Sequence, residues 1–125
     1  MSVDTNARPQ WKRTGYKFFP YAAEQDGQWW VLRFNVGFPE HDMYTIFVDN
    51  EVAGDVTGSP GSSVPLIASI GALDPLVRDE REPKLDPAIA RSVVEGVARF
   101  VDYGSEHGDP CMFCADDRDG LTPER

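Results

Sequence analysis

Gln28-Trp29-Trp30-Val31-Leu32-Arg33-Phe34-Asn35-Val36 decides the fold of this chain. Aromatic and β-branched residues crowd it, the types that fit a pleated, half-buried surface. Side chains alternate along a strand, so Trp30, Leu32, Phe34 and Val36 share one side, wholly apolar, that should meet the core. Trp29, Val31, Arg33 and Asn35 share the other side, which either presents Trp29 and Val31 as an exposed aromatic patch for a partner or is closed by a second covering layer or a dimer contact.

Working outward toward the C-terminus, Gly37-Phe38-Pro39-Glu40-His41 reads as a loop, and Met43-Tyr44-Thr45-Ile46-Phe47-Val48 as the next strand. Asp49-Asn50-Glu51 tolerates tight-turn dihedrals and leads into a third run, Val52 to Val56. Toward the N-terminus, Gln25-Asp26-Gly27 is a turn signal. Before it, residues 9 to 23 predict a first strand centred on Tyr16-Lys17-Phe18-Phe19 and interrupted by Pro20, which suits an edge strand or a strand end because proline cannot donate to a ladder.

Thr57 to Pro65 is small, polar and broken by prolines, hence a loop. Leu66-Ile67-Ala68-Ser69-Ile70 is too short for periodicity to decide, and a strand or buried loop segment is expected, since Gly71 ends it. Leu76 to Lys84 is charged. Asp86 is a good N-cap, Pro87 suits the first helical position, and Gly104 offers a stop. Between them Ile89, Val93, Val97, Phe100 and Val101 form one apolar face, while Arg91–Glu95 and Glu95–Arg99 are i,i+4 pairs. Gly96 inside the helix implies close approach to the sheet. Cys111-Met112-Phe113-Cys114 is expected as a last short strand.

These elements predict an α+β domain: an antiparallel meander of about four to five strands with one main C-terminal helix packed on its Trp30 face. Residues 1–8 are expected to be a flexible N-terminus, 9–115 the single domain, and 116–125 an acidic flexible tail.

The chain has 125 residues and a net charge of −9. Residues 27–104 carry six basic and twelve acidic groups, and residues 105–125 two basic and six acidic. That excess of carboxylates argues against nucleic acid or an anionic membrane as partner, because both call for Lys and Arg. No apolar run approaches the roughly 18 residues that cross a bilayer, and no signal-peptide core is visible, so a cytoplasmic location is expected.

Motifs for chemistry are weak. Pro110-Cys111-Met112-Phe113-Cys114 is half of a zinc deaminase signature, but neither His41 nor His107 belongs to the His-x-Glu that completes it. Cys111, Cys114, His107 and His41 could ligate a structural zinc, yet strong zinc sites carry two ligand pairs at characteristic spacing. A redox pair would need a preceding βαβ unit and a following helix. Two reduced thiols on opposite faces of a strand explain the cysteines more simply, and no cofactor or metal is expected. His41 between Glu40 and Asp42 reads as a solvated loop ahead of an acid–base cluster. Asp49, Glu51 and Asp55 lack the spacing of a calcium loop, and Ser62-Ser63 lacks a nucleophile elbow.

One resemblance sharpens the reading. Asp86-Pro87-Ala88-Ile89-Ala90-Arg91 through Ala98-Arg99-Phe100-Val101-Asp102-Tyr103-Gly104, followed by Asp109-Pro110-Cys111-Met112, resembles the immunity proteins found beside deaminase toxins in bacterial polymorphic toxin systems. Tyr44-Thr45-Ile46-Phe47-Val48-Asp49, with Gly54 after it, is similar to a strand pair of that family. The resemblance covers about half the chain. It implies a non-catalytic inhibitor that occludes the active site of a cognate, basic toxin. The residues expected to bind that partner are Glu40, Asp42, Asp49 and Glu51 at the hairpin ends, Trp29 on the exposed face, and Asp116 and Asp117 on the tail. Two rival expectations stand beside it: a small enzyme with a pocket lined by His41, Arg33 and Tyr44, and a homodimer formed through the Trp29 face.

Overall fold

Five strands build one antiparallel sheet in chain order: β1 (Lys12–Arg13), β2 (Tyr21–Gln25), β3 (Gln28–Phe34), β4 (Tyr44–Val48) and β5 (Glu51–Val56). This is a computed structural model, and it describes residues 6–35, 42–73, 83–101 and 120–123. Two helices, α1 (Pro65–Gly71) and α2 (Pro87–Glu95), complete an α+β fold, with a 3-10 turn at Ala98–Phe100 after α2. Among the described residues no helix is long and apolar enough to cross a membrane.

Both expected hairpins form, for the reason the turn residues suggest. Asp26 and Gly27 adopt φ of +54° and +77°, and Asp49 and Asn50 adopt +53° and +66°. Two successive left-handed residues match the right-handed twist of the flanking strands. In β5, Phe47 faces Val52 while Ile46 faces Gly54, so Ala53 is an extra residue in a β-bulge.

The N-terminal strand differs from expectation. Tyr16–Phe19 is a bend, and the regular strand β2 starts only after Pro20. Side-chain and loop bonds compete with a ladder there. Thr14 Oγ1 donates to the Phe19 carbonyl, Thr14 N donates to Pro20 O (3.0 Å), and Phe34 N donates to Phe18 O (2.9 Å). Phe18 and Phe19 are both buried, so the bend works as an apolar strap.

Leu66–Ile70 is also corrected, from strand or buried loop to helix. Pro65 is at the first helical position, and Leu66 and Ile70, four residues apart, both point inward. A Cβ on Gly71 would collide with the backbone of Ser59 and Pro60, so the preceding loop lies directly on the helix end.

Both faces of the sheet are covered. Tyr21, Trp30, Leu32, Tyr44, Ile46 and Val48 join Trp11, Leu66 and Ile70 in the core on the α1 side. Ala22, Val31 and Phe47 join Phe18, Phe19, Val93, Val94 and Val97 on the other side. The C-terminal helix therefore lies on the Val31 face, not on the Trp30 face where it was expected. A helix on each face buries the apolar residues that both parities of β3 and β4 supply.

Helix α2 begins as its sequence dictates: Asp86 Oδ1 accepts from Ala88 N at 3.0 Å and Pro87 opens the first turn. It is shorter than the periodicity implies, ending at Gly96. Ile89, placed on the apolar stripe, is 47% exposed, and Ala90 and Val94 fill that side instead. The expected proximity of Gly96 to the sheet is present, since a Cβ there would meet the Asn50 side chain in the β4–β5 turn.

Part of the segment assigned to the tail lies on the body. Gly120 is buried against Ala98, Lys17 N donates to Thr122 O at 2.8 Å, and Tyr16 forms an antiparallel bridge with Pro123. The strand expected at Cys111–Cys114 lies outside the described residues.

Candidate partner-binding surface

Meander topology sends the β2–β3 and β4–β5 turns to the same end of the sheet. The bond from Asp49 N to Trp29 O, 3.0 Å, joins them. Glu24 and Asp26 of the first hairpin and Asp49 and Glu51 of the second are all exposed. Residues 24–29 and 48–52 thus present four carboxylates and no cation. The C-terminus of α2 arrives at the same end, with Gly96 against Asn50, and adds the negative pole of its backbone dipole. Glu95 is exposed there too, paired with Arg91 at 2.7 Å.

Trp29 is at this end too, directly opposite Glu24 and on the same face, whereas Glu51, opposite Val48, is on the other face. Trp29 is half-buried and packs against the Val31 core, because α2 is the second layer that covers this face of β3. An indole held on one side by a core, with carboxylates around it, is a rigid anchor of the kind that dominates protein interfaces.

Of the residues expected to bind a partner, Trp29, Asp49 and Glu51 reach the same end of the sheet, with Asp49 bonded to Trp29 through the backbone and Glu51 on the other face. Asp42 does not. It precedes β4, whereas Asp49 follows it; seven extended residues separate them by about 23 Å. Its carboxylate accepts from Thr57 Oγ1 at 2.7 Å and its carbonyl from Asn35 Nδ2 at 2.9 Å, so it closes the opposite end of the hairpin. Glu40, Asp116 and Asp117 lie outside the described residues. Glu24 and Asp26 were missed, although the Asp26-Gly27 turn and strand alternation suffice to place them beside Asp49.

The enzyme alternative fares differently. Arg33 faces Thr45 across the ladder and Tyr44 is the next residue, so Arg33 and Tyr44 lie on opposite faces and line no common pocket. His41 lies outside the described residues. Arg33 is instead the centre of a closed network. Its Nε donates to Asn35 Oδ1 (2.9 Å), Nη1 to Phe100 O (2.7 Å) and Nη2 to Thr45 Oγ1 (2.8 Å). Thr45 Oγ1 donates to Asp55 Oδ1 at 2.7 Å and accepts from Asn35 Nδ2 at 3.0 Å. Arg33, Asn35 and Thr45 are each 1% exposed or less. Polar groups this well satisfied rigidify a core; a reacting group needs access and an unfilled valence, which Thr45 lacks. Asp55 belongs to this network, at the end of β5 away from Asp49 and Glu51. Among the described residues no three metal-ligating side chains converge, and Cys111, Cys114, His107 and His41 lie outside them.

No protein-family model, curated protein or solved structure matches this chain.

Proposed function

We propose that this is a non-catalytic binding protein, an inhibitor of the immunity type, whose acidic sheet end docks on a basic partner and covers its active site. The observation that carries the reading is that Glu24, Asp26, Asp49 and Glu51, all exposed, lie in the two turns and strand ends at one end of the sheet, the end that also carries the half-buried Trp29. A toxin that acts on nucleic acid must attract a polyanion, and an acidic surface competes for the same positive groove. Complementary charge of this sort steers encounter, raising association rates by roughly 10- to 1000-fold, and falls with salt. The resemblance to immunity proteins supplies the class of partner, a cognate toxin domain in the same cell.

A homodimer through the Trp29 face is not favoured. A two-fold contact would set the same patch against itself, opposing four carboxylates to four.

The test is co-production with the toxin domain encoded by a neighbouring gene. The intact chain should restore growth. A double reversal, Glu24→Lys with Glu51→Lys, combined with Asp26→Asn and Asp49→Asn, which suit the left-handed turn positions, should abolish rescue while leaving the urea midpoint close to that of the parent. Failure of the intact chain to protect against any neighbouring toxin defeats the reading; protection that survives the fourfold variant moves it to another surface.

A further inference from the structure

The described carboxylates divide into two groups. Asp42 accepts from Thr57 Oγ1, Asp55 from Thr45 Oγ1 and Asp86 from Ala88 N, while Glu95 pairs with Arg91. Glu24, Asp26, Asp49 and Glu51 make no hydrogen bond or ion pair through their side chains among the described residues, and all four are at the acidic end. The aromatic rings differ in a similar way. Arg13 lies over Tyr21 at 5.2 Å, Arg33 over Phe47 at 5.5 Å and Arg99 over Phe100 at 4.5 Å, but among the described residues no cation lies over Trp29.

Glu24 and Trp29 are a directly opposed pair on β2 and β3, and they share the face of Ala22 and Val31, two residues along each strand. The Cβ atoms of opposed residues lie about 5 Å apart, so one side chain from a partner can touch both. Asp49 flanks Trp29 from the β4 side through the 3.0 Å backbone bond. Glu24 is exposed and Trp29 is half-buried, so the carboxylate is accessible while the core fixes the ring. A guanidinium suits both neighbours at once. It is planar and weakly hydrated, stacks on aromatic rings, and its fork bonds a carboxylate through two parallel N–H groups. An ammonium is compact and strongly hydrated, so it gains from the negative field but little from the indole.

We infer that the acidic end seats an arginine side chain of the partner, its guanidinium against the Trp29 indole and bonded to the Glu24 carboxylate, while Asp26, Asp49 and Glu51 supply the field that draws it in. The seat rests on the inhibitor reading for its partner, a protein with a basic surface, and specifies which basic residue that surface must present.

Titrating the full chain at low ionic strength with acetylated, amidated hexa-arginine and hexa-lysine tests this, with ¹⁵N–¹H shifts as the readout. The two peptides carry equal charge, so the field alone cannot tell them apart. Both should shift the amides of Glu24, Asp26, Asp49 and Glu51. Hexa-arginine should bind tighter by about fivefold or more, and it alone should move the Trp29 indole N–H, assigned by its loss in Trp29→Phe. Trp29→Leu should bring the ratio of affinities to about one. Glu24→Gln, at an exposed position that leaves the core untouched, should cut it to about twofold or less. Asp26→Asn, which suits φ +54°, should weaken both peptides alike and leave the ratio unchanged. Equal affinities in the parent, a ratio unmoved by Glu24→Gln, or no saturable shift at the acidic end overturns the seat. Growth rescue combined with equal peptide affinities strikes the seat and spares the inhibitor reading; an arginine preference without rescue does the reverse.

Discussion

The two faces of one sheet are buried by different means. Toward α1 the strands send Tyr21, Trp30, Leu32, Tyr44, Ile46 and Val48, a cluster sealed by Leu66 and Ile70. Toward α2 the same strands send Val31 and Phe47 together with Arg33, Asn35 and Thr45, all buried. On the first face burial is its own stabilisation, roughly 25 cal/mol for each Å² of apolar surface removed from water. On the second, three polar side chains are tolerated because their bonds close on one another, on Phe100 O and on Asp55. Phe47 and Phe100 stack at 5.5 Å, and Phe47 lies 5.5 Å from the Arg33 guanidinium, so aromatic faces flank the charge. Alternation along β3 therefore reports parity and not solvent. A polar parity is an outer face only if nothing covers it.

The comparison breaks hardest at Arg33. Arg33→Ala removes a buried charge and leaves Asn35 Oδ1, Thr45 Oγ1 and Phe100 O each short of a donor, so a loss of about 3–5 kcal/mol is expected in urea denaturation. Leu32→Ala, one residue along on the dry face, should cost about 2–5 kcal/mol through its cavity alone. The two differ in coupling. A double-mutant cycle of Arg33→Ala with Thr45→Val should show an interaction of about 1 kcal/mol or more, whereas Leu32→Ala with Thr45→Val should be additive within about 0.5 kcal/mol. Additivity at Arg33 and Thr45 would mean that the network is incidental to the fold.

The α1 face depends on close packing, and Gly71→Ala tests it. The new methyl would strike the Ser59–Pro60 backbone, which is itself tied to the helix by the Ser59 N to Ile67 O bond of 3.2 Å. Overpacking against main chain typically costs about 1–3 kcal/mol, and the loss should appear in the urea midpoint with little change in slope. An unchanged midpoint would show that the loop over α1 yields freely.

A smaller effect is expected at Trp30, whose indole N–H is a polar exception on the dry face. Trp30 Nε1 is buried without a hydrogen-bond partner among the described residues. Trp30→Phe loses apolar volume but relieves a desolvated donor that is unfavourable by about 1–3 kcal/mol, so the two terms nearly offset and a net cost below about 1 kcal/mol is expected. A loss near 3 kcal/mol would show that the indole N–H is satisfied in solution, by water or by a shift of a neighbour.

What the residues disclosed in advance follows the range of the forces involved. Hairpins are local, so Asp26-Gly27 and Asp49-Asn50 announced two turns and β3 and β4 announced themselves by composition. The start of α2 is equally local, set by Asp86 and Pro87. The face on which α2 sits was not legible, because Arg33 and Asn35 look like solvent-facing residues until the partners Thr45, Asp55 and Phe100 are known, up to 67 positions away. Helix α1, at seven residues, is too short to show a period. The acidic end is half legible: turn chemistry marks Asp49 and Glu51 and composition marks Trp29, whereas the length of β4 carries Asp42 to the far end and strand pairing puts Glu24 and Asp26 at the near one. The junction of β1 with residues 83–85, and of Tyr16 with Pro123, is invisible in sequence, since these segments meet only in three dimensions.

The smallest effect concerns the place where the α2 face meets the acidic end. Gly96 caps α2 with φ −64° and ψ −22°, a conformation open to any L-residue. On backbone grounds Gly96→Ala should stabilise by about 0.4–1 kcal/mol, through reduced freedom of the unfolded chain. Against this, the added methyl meets the Asn50 side chain. Asn50 is exposed and its short side chain can rotate aside, so the two contributions should cancel to within about 0.5 kcal/mol. Asn50→Gly separates them. It removes the obstacle, and glycine suits φ +66° at the second position of this two-residue turn. In the Asn50→Gly background, Gly96→Ala should therefore recover its full gain of about 0.4–1 kcal/mol, a positive coupling read from urea midpoints at constant slope. If Gly96→Ala is equally neutral with and without Asn50→Gly, the helix end and the turn are not in contact, and the C-terminus of α2 adds nothing to the acidic surface.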